Sequence, residues 1–365
     1  METLHDHCIA RIESTQVPCR YPREVGLNAR LGVHGTGPVS SLCRVITDRG
    51  AEGRGLARIA PEDAAALIGR RLDELFDPAV GVTAPEALPL DLPLHDLAGV
   101  ILGRPVYALM GHRGRVDVPC YDGAIYMDDL LPAEAPRGLA AVLENCAADY
   151  ALGYRAFKLK IGRGQRWMSP EDGLRRDIEV TRAVREVYPE CDILVDANDG
   201  YTCAGFFDYL DAVADCDLFW IEEPFPENRD DLRRLRECLT RRSPNTRIAD
   251  GESRPDVPQL LELAREGLVD VLIMDIVGYG FTPWRAVMPE IVAAGALAAP
   301  HTWGDPLKTR YAGHLAAGLG HVLTLEGVPG CTERVDWSGY RLDAGRLSVP
   351  DLPGFGMGLV GASGA

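Results

Sequence analysis

Leu218-Phe219-Trp220-Ile221-Glu222-Glu223-Pro224 is a short apolar run that ends on two carboxylates and a proline. Its aliphatic and aromatic residues favour a buried strand, and the proline, which cannot donate to a ladder, stops it. Two acids at the end of a buried strand cost free energy unless a cation or an acid–base task holds them. Taken alone, the pair reads equally well as the solvated start of a loop. Moving outward, similar strand ends recur on both sides of it at nearly regular intervals.

Short apolar segments lie at 116–121, 154–161, 192–195, 217–221, 247–249, 269–274, 296–299 and 321–325. Helical patterns separate most of them, as at 170–187 and 256–266. Alternating strand and helix imply a parallel sheet, and eight such units in about 210 residues fit a closed α/β barrel of the TIM type. A doubly wound open sheet is the alternative, but no Gly-rich phosphate turn follows the first strand.

Lys158 and Lys160, Asp196 and Asn198, Glu222, Glu252, Asp275, His301 and Glu326 stand at the C-terminal ends of these strands. The steps from Lys160 onward are 36, 26, 30, 23, 26 and 25 residues, the period of one strand–helix unit. Barrel active sites form at that face from several strand ends. Asp196, Glu222 and Glu252 then converge as three hard oxygen ligands without thiols, a set that suits Mg²⁺ better than Zn²⁺. Lys158 and Lys160 alternate along one strand and so share a face. Close to a divalent cation and to each other, they are expected to lose basicity, which suits a general base. Asp275, on the strand before His301, is placed to fix the imidazole tautomer.

Residues 1–117 read as a separate α+β unit. Strands are expected at 9–12 and 41–47, followed by helices over 64–76 and 92–102. The intervening stretch 20–38 is rich in Gly and Pro and has the composition of a mobile lid; Tyr21, Arg23 and His34 within it, and Trp303 beyond the seventh strand, are candidate substrate contacts. The barrel is expected over 118–328, with a Gly- and Pro-rich tail at 329–365 packing back on the N-terminal unit.

Composition narrows the partners. Net charge is −16 over 365 residues, which disfavours nucleic acid and anionic membrane surfaces. No run of about 18 apolar residues offers a membrane span, and the N-terminus lacks the pattern of a signal peptide. Ten cysteines without a CxxC pair read as reduced thiols, and hence as cytoplasmic.

Phe157-Lys158-Leu159-Lys160, Val195-Asp196-Ala197-Asn198, Ile221-Glu222-Glu223-Pro224, Asp250-Gly251-Glu252 and Ala299-Pro300-His301 together resemble the mandelate racemase subgroup of the enolase superfamily, including its acid-sugar dehydratases. Leu94-His95-Asp96-Leu97-Ala98-Gly99 and Gly103-Arg104-Pro105-Val106-Tyr107 extend the resemblance over nearly the whole chain. It implies a modified (β/α)7β barrel with an α+β capping domain, formed by the N-terminal part and the C-terminal tail. One Mg²⁺ per subunit is implied on Asp196, Glu222 and Glu252. Lys160 is implied as a base, Lys158 and Asn198 as substrate contacts, His301–Asp275 as the second acid–base group and Glu326 as the acid of the eighth strand. A homo-oligomer is also implied. The chain departs from the pattern after Asp275, where Ile276-Val277-Gly278-Tyr279-Gly280 is one residue short, and at His301-Thr302-Trp303-Gly304.

The implied chemistry is removal of a proton α to a carboxylate through a metal-stabilised enediolate. Dehydration of an acid sugar to a 2-keto-3-deoxy acid is the leading expectation, with racemisation or epimerisation by 1,1-proton transfer second. A non-catalytic barrel that binds metal and ligand comes third, since a pure binder needs neither base.

Overall fold

The computed structural model describes residues 3–252 and 254–360. Strands β1 (Ile9–Arg20), β2 (Val39–Thr47) and β3 (Glu52–Leu56) form an antiparallel meander, with Ser14 opposite Cys43 and Cys43 opposite Gly55. β1 is longer than the sequence suggests. Its middle, residues 13–16, is polar and partly exposed and so carries no apolar signature, and pairing with β2 is what holds it extended. The helix expected across 64–76 is two pieces, α1 (Pro61–Leu67) and α2 (Leu72–Leu75), parted at Gly69, which adopts φ +81°. Helix α3 (Asp91–Leu102) ends at Gly103 in the left-handed conformation that favours glycine. It lies directly on β3: a Cβ on Gly53 would come within 2.4 Å of the Leu97 Cβ and the Pro93 carbonyl.

Eight strands follow: β4 (Asp117–Ile125), β5 (Ala156–Lys160), β6 (Asp192–Asp196), β7 (Leu218–Glu222), β8 (Arg247–Asp250), β9 (Val271–Leu272), β10 (Leu297–Ala298) and β11 (Leu325–Gly327). Successive strands from β4 to β10 pair in parallel. A parallel bridge between Ala298 and Val322, and the pairing of Leu325 with Cys120, close the ring. The open-sheet alternative is thereby excluded. Tyr121, Leu194, Trp220, Ala249, Val271, Ile273 and Ala299 fill the barrel interior as one buried cluster. Larger apolar residues on the outward faces of the strands pack against the surrounding helices.

Two other segments complete the frame. The tail returns to both parts of the molecule: β12 (Cys331–Thr332) pairs with β1, and β13 (Arg346–Ser348) runs antiparallel to the start of β4. The stretch 20–38 crosses to the barrel, where its Asn28 carbonyl accepts from Trp167 Nε1 at 2.7 Å. Among the described residues no helix is long and apolar enough to cross a membrane.

Candidate active site

Asp196 and Glu222 end adjacent strands and face each other in register. The next strand brings Ala249 level with Glu222, so Glu252 lies past the strand end. Gly251, at φ +106°, makes the turn that returns Glu252 to the mouth. The result is a set of three carboxylates, one oxygen from each, all within 4.8 Å of one another. Glu222 Oε2 and Glu252 Oε2 are buried without a hydrogen-bond partner. Burial and the neighbouring Asp196 push the Glu222 carboxyl well above the usual range, even with Lys158 opposing. Orphaned hard oxygens that repel one another fit a divalent cation, and of the metals weighed from the sequence Mg²⁺ fits this donor set.

The two lysines close the floor. Lys158 Nζ lies 2.9 Å from Glu222 Oε1, 2.8 Å from Glu326 Oε1 and 3.3 Å from Asp196 Oδ2. Lys160 Nζ pairs with Asp196 Oδ2 and donates to Asn198 Oδ1 at 3.1 Å. Among the protein's own groups the surrounding carboxylates raise the basicity of both lysines, and the charge of a cation on the triad would act in the opposite sense. Burial pulls each pKa down, but for Lys158 the Glu222 and Glu326 carboxylates, and for Lys160 the Asp196 carboxylate, outweigh it. Asp196 responds in the opposite sense: burial raises it, and Lys160 and Lys158 bring it below the ordinary carboxylate value.

Across the mouth, His301 Nδ1 is 2.9 Å from Asp275 Oδ2, and Nε2 is 3.3 Å from Glu252 Oε1 and 3.8 Å from Glu326 Oε2. Burial lowers the imidazole pKa, but Glu252, Glu326 and Asp275 raise it more. Asp275 is itself anchored through Oδ1, which accepts from the Val277 and Gly278 amides at 2.9 and 2.6 Å. Glu326 Oε2 accepts from the Thr302 and Trp303 amides at 2.7 and 2.9 Å, which fixes the chain just after His301.

Above this floor the residues from 20–38 meet Trp303. The Trp303 ring lies 5.2 Å from Tyr21, 4.8 Å from Tyr126 and 6.3 Å from His34. The Tyr21 hydroxyl donates to the Gly304 carbonyl at 2.8 Å, and His34 Nδ1 lies 2.8 Å from the Gly26 carbonyl. Arg23 is elsewhere: its guanidinium forms an ion pair with fully buried Asp149 and donates to the Ala124 carbonyl, so it anchors the segment instead of facing the mouth. Tyr126 escaped the sequence reading. Its ring lies 5.2 Å from Lys160 Nζ, and the only signal was its place just past the first barrel strand. Lys308 escaped as well; it sits beside Asp275, and nothing in the spacing of strand ends marks it.

Comparison with known proteins agrees with this geometry. A family model described as enolase C-terminal domain-like matches residues 141–362. A galacturonate dehydratase from a Geobacillus species, solved with D-galacturonate and 5-keto-4-deoxy-D-galacturonate, is 36% identical with a TM-score of 0.91, over 97% of this chain and 95% of that one. A mutant of that enzyme was solved with Mg. The D-xylonate dehydratase of Haloferax volcanii is 26% identical over 87% of this chain and 82% of its own length. The D-galactarolactone cycloisomerase of Agrobacterium fabrum is 28% identical over 60% of this chain, a match that spans 54% of that protein. With the closed barrel and the carboxylate triad, these matches make the chain a member of the enolase superfamily, on its mandelate racemase branch.

Proposed function

We propose that this protein is a Mg²⁺-dependent lyase that dehydrates an acid sugar to its 2-keto-3-deoxy acid. The observation that carries the reading is the placement of two acid–base groups on either side of the carboxylate triad. Asp196, Glu222 and Glu252 come from the third, fourth and fifth barrel strands, Lys160 from the second and His301 from the seventh.

Asp196, Glu222 and Glu252 hold the cation, which when bound supplies a Lewis acid against the substrate carboxylate. Lys158 adds a fixed positive charge at the same end, in a site where buried charges act strongly. Lys160 or His301 removes the proton from the carbon α to the carboxylate, and the electron pair of that C–H bond moves into the carboxylate as an enediolate. As the enediolate collapses, the β C–O bond breaks and the opposite group protonates the departing hydroxyl, releasing water. The enol that remains tautomerises to the ketone. Asn198 and Glu326 orient the substrate and the His301 turn, and Tyr21, His34 and Trp303 wall the far end. The 5-keto-4-deoxy product bound to the Geobacillus enzyme has this same relation, a ketone next to the carboxylate and a deoxy carbon beyond it.

The same two groups on opposite faces also run 1,1-proton transfer, and epimerases occur among the relatives. A library of acid sugars incubated with Mg²⁺ in D₂O separates the readings. Dehydration gives a 2-keto acid that a carbonyl reagent traps, whereas racemisation or epimerisation exchanges the α-proton without keto acid. If no acid exchanges or dehydrates while Mg²⁺ still binds, the enzyme reading fails. We place the protein in the cytoplasm, on its unpaired cysteines, as an assembly of two or more copies.

A further inference from the structure

The chain contains three lysines and thirty-five arginines. Lys158 and Lys160 form the floor of the site. The third, Lys308, lies at the same mouth: its Nζ is 2.7 Å from Asp275 Oδ2 and 3.0 Å from the Trp303 carbonyl. A chain that uses arginine almost everywhere else thus keeps lysine only where a compact point charge meets this site.

Its position is unfavourable on local grounds. Asp305 caps helix α4 (Pro306–Leu319), and its side chain accepts from the Leu307 amide, so Lys308 falls in the first turn. The helix dipole disfavours a cation there. The side chain is only 18% exposed, so solvent does little to compensate. What holds it is the carboxylate of Asp275, whose oxygens then meet four donors: the Val277 and Gly278 amides on Oδ1, and His301 Nδ1 and Lys308 Nζ on Oδ2. With its acceptor sites filled, this carboxylate can neither rotate freely nor take the imidazole proton.

We propose that Lys308 is a positioning residue for His301. It locks Asp275 as an anion in one rotamer, so that His301 keeps its proton on Nδ1 and turns Nε2 to the substrate. Through the Trp303 carbonyl it also ties the turn that carries the aromatic wall to the same dyad. This rests on the reading of His301 as one of the two acid–base groups. Lys308 itself touches no reacting atom.

Long-range ¹H–¹⁵N correlation of ring-labelled histidines tests the proposal without turnover. The His301 signals are identified by their loss in His301→Asn. In the parent protein, at a pH above that at which the ring takes a second proton, they are expected to show a single Nδ1–H tautomer. In Lys308→Met that pattern should shift or become a mixture, while the other seven histidines keep theirs and so report an intact fold. Lys308→Arg should fail to restore the parent pattern, because the planar guanidinium cannot occupy the same point. His301 signals identical in the parent protein and Lys308→Met overturn the proposal, and full restoration by Lys308→Arg overturns its requirement for lysine. Should Lys308→Met not fold, Lys308→Gln gives the same comparison.

Kinetics supply a second arm. α-Proton exchange from the His301 face should slow at least tenfold in Lys308→Met, with exchange from the Lys160 face changed less than twofold; equal slowing on both faces overturns the proposal. If the parent protein exchanges neither face, the dehydratase reading falls, and the histidine spectra still decide the role of Lys308.

Discussion

Glu223 Oε1 accepts the backbone N–H of Glu252 at 3.2 Å. Glu223 therefore braces the turn that presents Glu252, while Glu222, its neighbour in the chain, faces the triad. Burial, with Glu252 second, pushes the Glu223 carboxyl up to about 8, with Lys160 opposing. The two adjacent glutamates should accordingly separate on mutation. Glu222→Gln is expected to weaken Mg²⁺ binding by two orders of magnitude or more, and Glu223→Gln by tenfold or less, as measured by titration calorimetry. The reverse ranking would place the ligand one residue further along.

Three carboxylates within 4.8 Å of one another should also make the fold respond to the cation. A ligand that binds only the native state stabilises it by about 2.7 kcal/mol at one hundred times its Kd. Mg²⁺ should therefore raise the thermal midpoint by several degrees, and a chelator should reverse the shift. Asp196→Asn should abolish the response by removing one ligand of three. A midpoint indifferent to Mg²⁺ in the parent protein would remove the triad as a resident metal site.

Lys160→Ala and His301→Asn should each lower turnover by about 10²–10⁴, the range that a positioned acid or base contributes. Both should keep the parent circular dichroism and Mg²⁺ affinity. Because the two groups stand on different sides of the substrate, each variant should retain slow α-proton exchange on the face served by the other. Full turnover in either variant contradicts a two-group mechanism.

The barrel and its floor were legible because the barrel repeats. A strand-end acid or base every 23 to 36 residues is a periodic signal, and periodicity survives without any knowledge of contacts. Asp196, Glu222 and Glu252 were found in this way, and so was the pairing of His301 with Asp275. What does not repeat was hidden. The start of β1 at 9–12 was visible and its continuation was not, because the polar run through Ser14, Thr15 and Gln16 breaks the apolar pattern and depends on β2. Arg23 looked like a lid residue until its buried partner Asp149, 126 residues away, came into view. The pull of Glu326 on Lys158 was hidden too, because only barrel closure brings the two together. Lys308 lies on a helix, outside the strand-end register altogether.

His314 should make the fold sensitive to acid. The ring is fully buried; Nδ1 accepts the Tyr107 amide at 3.3 Å, and Nε2 lies 2.9 Å from the Tyr340 hydroxyl oxygen. That hydroxyl already donates to the Phe355 carbonyl, so Nε2 carries the one ring proton and Nδ1 carries none. Protonation would aim a second N–H at the Tyr107 amide, and burial pushes the imidazole down to about 3. The unfolded chain takes up this proton near pH 6.5, so between about 6.5 and 3 it binds more protons than the native state does. Stability should then fall as the pH falls through that window, by up to about 1.4 kcal/mol per pH unit from this one residue. His314→Gln should start less stable at pH 7, by about 1–3 kcal/mol for the disturbed buried hydrogen bonds. Its deficit should shrink as the solution is acidified, because glutamine takes up no proton in the unfolded state. Urea midpoints of the two proteins from pH 7 to pH 4 give the comparison, and curves that stay parallel would show that His314 titrates alike in the folded and unfolded chains.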